Sequence, residues 1–161
     1  MPHSDVPVTM AVRFLRQHRV EFTPHFYEYE EHGGTARASV ELAVDEHAVV
    51  KTLVFQTDTR EPLLVLMHGD REVSSRQLAR TLDVRAVSPC DTQTAQRLTG
   101  YTVGGISPFG TRTRLPVYAE ETIFALSRVL INGGKRGFLV EIAPSEIERT
   151  LAPTRVTVGI V

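Results

Sequence analysis

The chain has 161 residues, of which 42% are hydrophobic and 23% are charged, and its formal net charge is −1. This length suits one domain that buries a sizeable core without a disulfide or metal staple. The near-neutral charge excludes a protein that coats nucleic acid, since broad phosphate contact needs a strongly basic surface, although a local cluster of cations could still grip a few terminal nucleotides. We expect residues 1–161 to form a single domain whose first nine residues are loose.

Three features indicate a cytoplasmic protein that is not bound to a membrane. No apolar run approaches the roughly 20 residues needed to cross a bilayer. The first nine residues are polar and contain no apolar signal region. Cys90 is the only cysteine, and a lone thiol, which cannot form an internal disulfide, fits a reducing compartment.

Hydrophobic periodicity predicts helices and strands in a mixed order. The helices are expected at 10–18, 35–44, 75–82, 91–99 and 144–151. The strands are expected at 23–29, 49–57, 63–67, 86–87, 115–118, 129–131, 138–142 and 156–161. Thr35 and either Ser74 or Ser75 are predicted helix caps, and Gly100 is predicted to end a helix. Because strands and helices do not alternate regularly, we expect an α/β or α+β fold with a mixed, partly barrel-like sheet flanked by helices.

Lys51 stands out within the predicted strand 49–57. Alternate side chains of a strand share a face, and both faces of this strand are mostly apolar, which is typical of a strand buried on both sides. A lysine is costly to desolvate there unless it faces a cleft or an anion. Lys51 is therefore a candidate functional residue. The alternative is a lysine that reaches solvent from the end of a strand.

Two glycine-rich loops are predicted further along the chain, at 100–110 and 133–137. Glycine accepts positive φ and lets a ligand approach the backbone closely. Successive exposed amides can form an anion-binding nest or an oxyanion hole. Neither loop matches the Walker A or the dinucleotide-binding pattern. Together with a buried lysine, the two loops indicate one phosphate- or carbonyl-binding site.

Four cations flank these loops and could form a basic rim for an RNA backbone, although solvated side chains are the alternative: Arg112, Arg114, Lys135 and Arg136. The six histidines show no metal-ligand spacing, so we expect no metal and no cofactor. No nucleophile-elbow motif of a serine hydrolase is present. Cys90 has no catalytic signature around it, and we interpret it as a small buried hydrophobic residue.

Four segments occur in a characteristic order along the chain: Val50-Lys51-Thr52-Leu53, the run TGYTVGGISP at 99–108, Arg114-Leu115-Pro116 and the run GGKRG at 133–137. Together these segments resemble the YbaK/EbsC family, which is similar to the editing domain of bacterial prolyl-tRNA synthetases. Weaker similarity covers the first helix and His25-Phe26-Tyr27. The resemblance implies the fold of that family and the hydrolysis of mischarged aminoacyl-tRNA, notably Cys-tRNA(Pro) or Ala-tRNA(Pro).

The resemblance also implies roles for individual residues. Lys51 matches an essential lysine, and Gly104 and Gly105 match the loop beside the aminoacyl ester; these three form the expected catalytic set. The expected substrate-binding set is Tyr27, Thr52, Tyr101, Ile106, Ser107, Pro108, Asn132, Gly133 and Gly134. Asn132 and Leu139 stand where cysteinyl-specific members have Ser and Asp, and the loop at 32–35 is shorter than theirs. These departures leave the reaction class intact and the amino acid open.

We therefore expect a free-standing trans-editing deacylase that acts on the 3′ acceptor end of aminoacyl-tRNA. In this hypothesis Lys51 holds the phosphate of the terminal adenosine, and amides of the loop at Gly104 and Gly105 stabilise the oxyanion. The attacking group is water or, in a cysteinyl substrate, its own thiol. Prolyl-tRNA synthetase is a candidate partner. Two alternatives are a catalytically silent module that docks the acceptor end or a synthetase, and a protein that binds small phosphate compounds.

Overall fold

The computed structural model describes residues 6–161, which contain five α-helices and ten strands. The helices are α1 (Met10–Gln17), α2 (Gly34–Leu42), α3 (Ser75–Leu82), α4 (Thr92–Thr99) and α5 (Pro144–Leu151). The strands are β1 (Thr23–Phe26), β2 (Val49–Thr57), β3 (Pro62–His68), β4 (Glu72–Val73), β5 (Val87–Pro89), β6 (Val117–Glu120), β7 (Val129–Lys135), β8 (Phe138–Ile142), β9 (Thr154–Val156) and β10 (Gly159–Ile160). Within these residues, no helix is both long and apolar enough to span a bilayer.

Eight strands form one mixed sheet. Its order is β1-β8-β7-β2-β3-β6-β9, and β5 pairs with β2 beside this path, while β4 and β10 form a separate two-stranded ribbon. Strand β2 is antiparallel to β3 and parallel to β7. The predicted mixed α/β fold is therefore confirmed. The two end strands, β1 and β9, do not pair with each other, so within the described part of the chain the sheet is open and forms no closed barrel.

Strand β2 lies in the middle of the sheet order and is covered on both faces, as its apolar sequence predicts. Its side chains enter four different clusters of buried residues: Val50 packs with α1, Phe55 with α3, Val54 with α4 and Val49 with α2. This arrangement covers both faces of the strand with apolar groups, which explains why its sequence does not alternate between apolar and polar residues. It also fixes Lys51 and Thr52 in the middle of the sheet.

Side-chain caps begin three helices. Thr9, Ser74 and Asp91 accept backbone N–H bonds at the starts of α1, α3 and α4. Gly100 ends α4 with a φ of +81°, as predicted. The prediction that Thr35 caps α2 is wrong. That helix begins at Gly34, and the Thr35 hydroxyl instead donates to the Glu46 carboxylate, 2.7 Å away, which ties α2 to the turn before β2.

The second glycine-rich segment is mostly strand rather than loop, which corrects the prediction for 133–137. Strand β7 continues to Lys135, and its pairing with β8 has an irregular register between Asn132 and Lys135. Gly134 has a φ of +99°, so it accommodates the extra residues of this bulge. The turn between the two strands is only two residues long, Arg136 and Gly137.

The predicted loose segment is anchored over the part that the structure describes. Residues 1–5 lie outside the described residues. Val6 packs against the main core, and the Thr9 hydroxyl donates to the Gly133 carbonyl at 2.5 Å. Two further boundaries differ from the prediction: β1 ends at Phe26 rather than at residue 29, and the expected strand at 115–118 is displaced to Val117–Glu120.

Candidate functional site

A cleft of about 800 Å³ opens over β2. Residues 49–55 line it from the sheet, and α2, the β4 ribbon, the start of α4 and the loop after α4 contribute its walls. This volume lies in the range of small-ligand sites. Seven of the residues that the sequence predicts for the site line this cleft: Tyr27, Lys51, Thr52, Gly104, Ile106, Asn132 and Arg136.

Lys51 lines the cleft and does not project from a strand end. Its side chain is 20% exposed, and its Nζ lies 3.6 Å from Oε1 of Glu72 and 3.5 Å from the carbonyl oxygen of Gly69. Glu72 is an exposed partner, so solvent screens the pair and each charge gains little from it. The ammonium group is therefore held in place but is still able to bind a stronger anion.

Thr52, the next residue along β2, has unused hydrogen-bonding capacity. Its Oγ1 is buried and has no hydrogen-bond partner within residues 6–161. A buried hydroxyl in this state is unfavourable by about 1–3 kcal/mol. Because Thr52 is among the residues around the cleft, a bound ligand or water could restore the missing bond.

The two glycine-rich segments meet at one wall of the cleft, as the sequence indicates. Asn132 Nδ2 donates to the Gly104 carbonyl at 3.2 Å, and Arg136 Nε donates to the Val103 carbonyl at 2.9 Å. The guanidinium of Arg136 also lies 4.9 Å from the centre of the Tyr29 ring. These contacts join the turn of the β7–β8 hairpin to the loop that follows α4.

Gly104 and Gly105 have different surroundings. Gly104 has a φ of +95°, and a Cβ there would lie 2.7 Å from Oη of Tyr29. The Gly105 N–H donates to the Thr102 carbonyl at 2.8 Å, whereas the Gly104 N–H has no acceptor within residues 6–161. Of the two predicted oxyanion donors, only the Gly104 amide has no acceptor among the described residues 6–161, and only Gly104 lines the cleft.

Six predicted catalytic or substrate-binding residues do not line the cleft. Tyr101 is 5% exposed and donates its hydroxyl to the Phe109 carbonyl, and Ser107 is fully buried and accepts the Phe109 N–H. Burial raises the pKa of Tyr101, so its phenol stays protonated. These side chains support the loop from beneath. The other residues in this group are Gly105, Pro108, Gly133 and Gly134.

The four predicted RNA-binding cations are spread over the surface. Arg136 lines the cleft, but Lys135, although next to it, does not. Arg112 lies near Gly100, and Arg114 borders a separate depression with Leu115 and Leu151. The structure therefore brings one of the four cations to the cleft, and the others remain exposed on neighbouring surfaces.

Other residues of the cleft were not predicted, among them Tyr29, Glu72 and Cys90. Tyr29 could have been suspected from its spacing of two residues from Tyr27. Glu72 carries no local signal, because its pairing with Lys51 depends on the β3–β4 turn. Burial raises the pKa of the Cys90 thiol, and the Asp91 carboxylate adds to this effect, so Cys90 stays protonated at neutral pH.

The fold and the cleft define an α/β protein whose candidate ligand site lies on the central strand of a mixed sheet. The family described as "Aminoacyl-tRNA editing domain" matches residues 30–150. The chain belongs to this family, as the resemblance implied.

Two relatives illustrate the range of the family. The chain is 28% identical to the Enterococcus faecalis protein named "Putative Cys-tRNA(Pro)/Cys-tRNA(Cys) deacylase EbsC", with 86% of this chain and 85% of that protein covered. It is 27% identical to a proline–tRNA ligase of Brachyspira hyodysenteriae over 53% of this chain, but it spans only 15% of the length of that ligase.

Solved structures show the same fold. The structure described as "Crystal structure of a putative trans-editing enzyme for prolyl tRNA synthetase" superimposes with a TM-score of 0.82. The two chains are 20% identical, and the match covers 97% of this chain and all of the other. At this level of identity the likeness concerns the fold alone.

Proposed function

We propose that this chain is a free-standing hydrolase that removes the amino acid from mischarged aminoacyl-tRNA. One observation carries the proposal: one cleft on the central strand contains both Lys51 and the backbone amide of Gly104, which has no acceptor in the described part of the chain. When a ribose ester beside a phosphate is cleaved, a cation can hold the phosphate in place and a backbone donor can stabilise the negative charge on the carbonyl oxygen. Membership of the aminoacyl-tRNA editing family supports this choice of ester.

In the proposed reaction, Lys51 exchanges its contact with Glu72 for the phosphate of the terminal adenosine and thereby fixes the ester in the cleft. Water adds to the ester carbonyl carbon, and the Gly104 N–H donates to the oxygen as it becomes negative. The bond to the ribose oxygen then breaks. The amino acid leaves as its free carboxylic acid, and one proton of the water passes to the ribose oxygen, which becomes a hydroxyl. One such backbone donor contributes about 3 kcal/mol to stabilising the transition state.

We propose Cys-tRNA(Pro), or tRNA(Pro) carrying another small amino acid, as the substrate. The name of the Enterococcus relative supports this choice. In a cysteinyl substrate the thiol could attack instead of water: its sulfur bonds to the ester carbonyl carbon, the bond to the ribose oxygen breaks, the thiol proton passes to that oxygen, and the amino acid leaves as a cyclic thioester. The wall formed by Ala38 and Leu139 is apolar and packs against Tyr27, which suits a small side chain without charge. We further propose a cytoplasmic location and prolyl-tRNA synthetase as a partner.

The test is deacylation of tRNAs charged with Cys, Ala, Ser or Pro, by the wild type and by Lys51→Ala. We expect cleavage of one mischarged species by the wild type and at least a hundredfold loss in the variant, with an unchanged melting temperature. Arg128→Ala, which removes a cation outside the cleft, is the control.

Two other outcomes would replace the proposal. Binding of tRNA without cleavage of any species would favour the silent docking module. A thermal shift with nucleotides, but none with a non-hydrolysable aminoacyl-adenosine analogue, would favour a protein that binds small phosphate compounds. Wild-type rates in Lys51→Ala would remove Lys51 from the mechanism.

A further inference from the structure

Side chains from the β7–β8 hairpin fix two successive peptide groups of the loop beside the cleft. Arg136 Nε donates to the Val103 carbonyl at 2.9 Å. Asn132 Nδ2 donates to the Gly104 carbonyl at 3.2 Å. The sequence suggested that Arg136 contacts RNA and that Asn132 contacts the substrate, but both side chains bind the backbone of the protein itself.

These two bonds determine where the amides of the loop point. In a trans peptide the carbonyl and the amide of the next residue point in opposite directions. Arg136 therefore orients the Gly104 N–H through the Val103 carbonyl, and Asn132 orients the Gly105 N–H through the Gly104 carbonyl. The Gly105 N–H is bound by the Thr102 carbonyl at 2.8 Å, whereas the Gly104 N–H has no acceptor within residues 6–161.

The two side chains are themselves held in place. Asn132 Oδ1 accepts the N–H groups of Gly134, at 2.7 Å, and of Lys135, at 3.1 Å, so its amide nitrogen must face the loop. Arg136 stacks on the ring of Tyr29. The same ring lies against Gly104, where a Cβ would be 2.9 Å from Cε1 of Tyr29. Tyr29 therefore packs against both the arginine and the glycine.

We propose that Asn132, Arg136 and Tyr29 are positioning residues that hold the Gly104 N–H ready for the ester oxygen. The inference rests on the proposed deacylase function and identifies which groups prepare its donor. A donor that is fixed before the reaction stabilises the developing charge without reorganising at the moment of bond formation. A loop rich in glycine would otherwise sample several orientations of these peptide groups.

Asn132→Asp tests the bond to Gly104 with little change of shape. The aspartate keeps an acceptor for the hairpin amides but has no N–H for the Gly104 carbonyl. We expect kcat to fall about ten- to a hundredfold with KM within about twofold, since the lost interaction matters in the transition state. A wild-type kcat in this variant would overturn the proposal.

Arg136→Lys separates positioning from RNA binding. Lysine keeps the charge but lacks the Nε–H geometry that meets the Val103 carbonyl. A positioning role predicts a lower kcat with the same loss on charged tRNA and on a short charged acceptor helix. If Arg136 instead binds an RNA phosphate through its charge, lysine, which keeps that charge, should leave kcat near the wild-type value, and this result would overturn the assignment of Arg136. Arg128→Lys, the same change outside the cleft, is the matched control.

Tyr29 is tested by rescue. Tyr29→Leu removes the ring on which Arg136 stacks, and we expect the same selective loss of kcat. Tyr29→Phe keeps the ring and should restore most of the rate. If Tyr29→Phe is as impaired as Tyr29→Leu, the hydroxyl rather than the ring is important, and Tyr29 does not act by stacking.

A measurement without turnover keeps this inference separate from the proposed function. Hydrogen exchange of the Gly105 amide, followed by NMR, reports on its bond to Thr102. We expect faster exchange in Asn132→Asp and Arg136→Lys and wild-type exchange in Arg128→Lys. If the wild-type protein cleaves no charged tRNA, the proposed function is wrong, but the positioning role is not thereby contradicted. Unchanged exchange in both variants would overturn the positioning role, whatever the activity.

Discussion

Lys51 and Glu72 form an ion pair in the cleft, with 3.6 Å between Nζ and Oε1. The two residues belong to different sheets: Lys51 is in β2 of the main sheet, and Glu72 is in the ribbon formed by β4 and β10. The lysine is mostly buried, and the carboxylate is mostly exposed. The pair therefore keeps a counter-ion beside Lys51 that an incoming phosphate must displace.

Glu72→Gln should strengthen anion binding. Without the carboxylate, nothing competes with the phosphate for Lys51. We expect the Kd for uncharged tRNA to fall about two- to fivefold, because an exposed ion pair contributes only about 0–1 kcal/mol of interaction free energy. The free energy of unfolding should hardly change, because an exposed ion pair adds little to stability. Fluorescence anisotropy measures the Kd, and urea unfolding measures the stability.

Glu31→Gln is the matched control for this prediction, because Glu31 also lines the cleft but lies 4.0 Å from His32 rather than beside Lys51. Removing its charge should change the Kd less than Glu72→Gln does. Weaker binding in Glu72→Gln would mean that the carboxylate orients Lys51 instead of competing with the ligand.

The sequence predicts the centre of the fold better than its periphery. The apolar run of β2 predicts a strand covered on both faces, and that same burial marks Lys51 as unusual. The ion pair with Glu72 could not be predicted, since it depends on a turn and on a ribbon that pairs residues 72–73 with residues 159–160. Local sequence patterns contain no information on a contact that depends on the pairing of segments far apart in the chain.

The glycine-rich motifs identify the correct segments but not the direction of each side chain. Tyr101 and Ser107 lie within the motif, yet both are buried beneath the loop because residues 100–110 fold back on the main core. Gly133 and Gly134 were expected to contact substrate, but Phe138 and Tyr101 occupy the space beside them. The absence of a side chain at Gly133 and Gly134 allows Phe138 and Tyr101 to pack closely against the backbone.

Gly133→Ala should therefore destabilise the protein by crowding. A Cβ at Gly133 would lie 2.3 Å from Cε2 of the buried Phe138. Overpacking of this kind lowers the free energy of unfolding by about 1–3 kcal/mol. Phe138→Leu should restore part of the loss in a double variant, and urea unfolding of the four proteins measures this coupling.

Gly34→Ala is the contrasting control. Gly34 has a φ of +58°, and a Cβ added there would have no atom within 4 Å, so only backbone strain of about 1 kcal/mol is expected. Phe138→Leu should not relieve that strain. A Gly133→Ala protein with wild-type stability and a raised KM would instead support the prediction that Gly133 binds substrate.

Cys90 should act as a single reporter of ligand in the cleft. It is the only cysteine, it lines the cleft, and burial raises the pKa of its thiol. Alkylation at neutral pH should be slower than for a free thiol, because the thiolate is the reactive form. A bound aminoacyl-adenosine analogue should slow it further, as mass spectrometry can show.

A bulky maleimide on Cys90 should block deacylation by filling the cleft, and Cys90→Ala should remain active and become insensitive to the reagent. Loss of activity in Cys90→Ala would contradict the interpretation of Cys90 as a residue without a catalytic role. Equal labelling rates with and without the analogue would show that the analogue does not occupy the cleft near Cys90.

The buried His68 should make stability fall in mild acid. Its Nδ1–H donates to the His47 carbonyl at 2.7 Å, and its Nε2 lies 2.7 Å from the Thr122 hydroxyl. Burial lowers the pKa of His68 below its ordinary value of about 6.5, and the stacked His47 acts in the same direction, although the His47 carbonyl and the Asp70 and Glu120 carboxylates oppose it.

Because the pKa of His68 is lower in the folded state, the unfolded chain binds more protons as the pH falls through about 6.5. The contribution of His68 to stability is therefore complete above that pH and is lost as the pH falls towards the folded pKa.

Urea unfolding at pH 7.5, 6.5 and 5.5 should show a falling free energy of unfolding. His68→Gln should flatten this dependence, while His32→Gln, at an exposed histidine, should keep it. Carboxylates with lowered pKa, such as Glu141, act below this window, so an unchanged slope in His68→Gln would assign the acid sensitivity to another group.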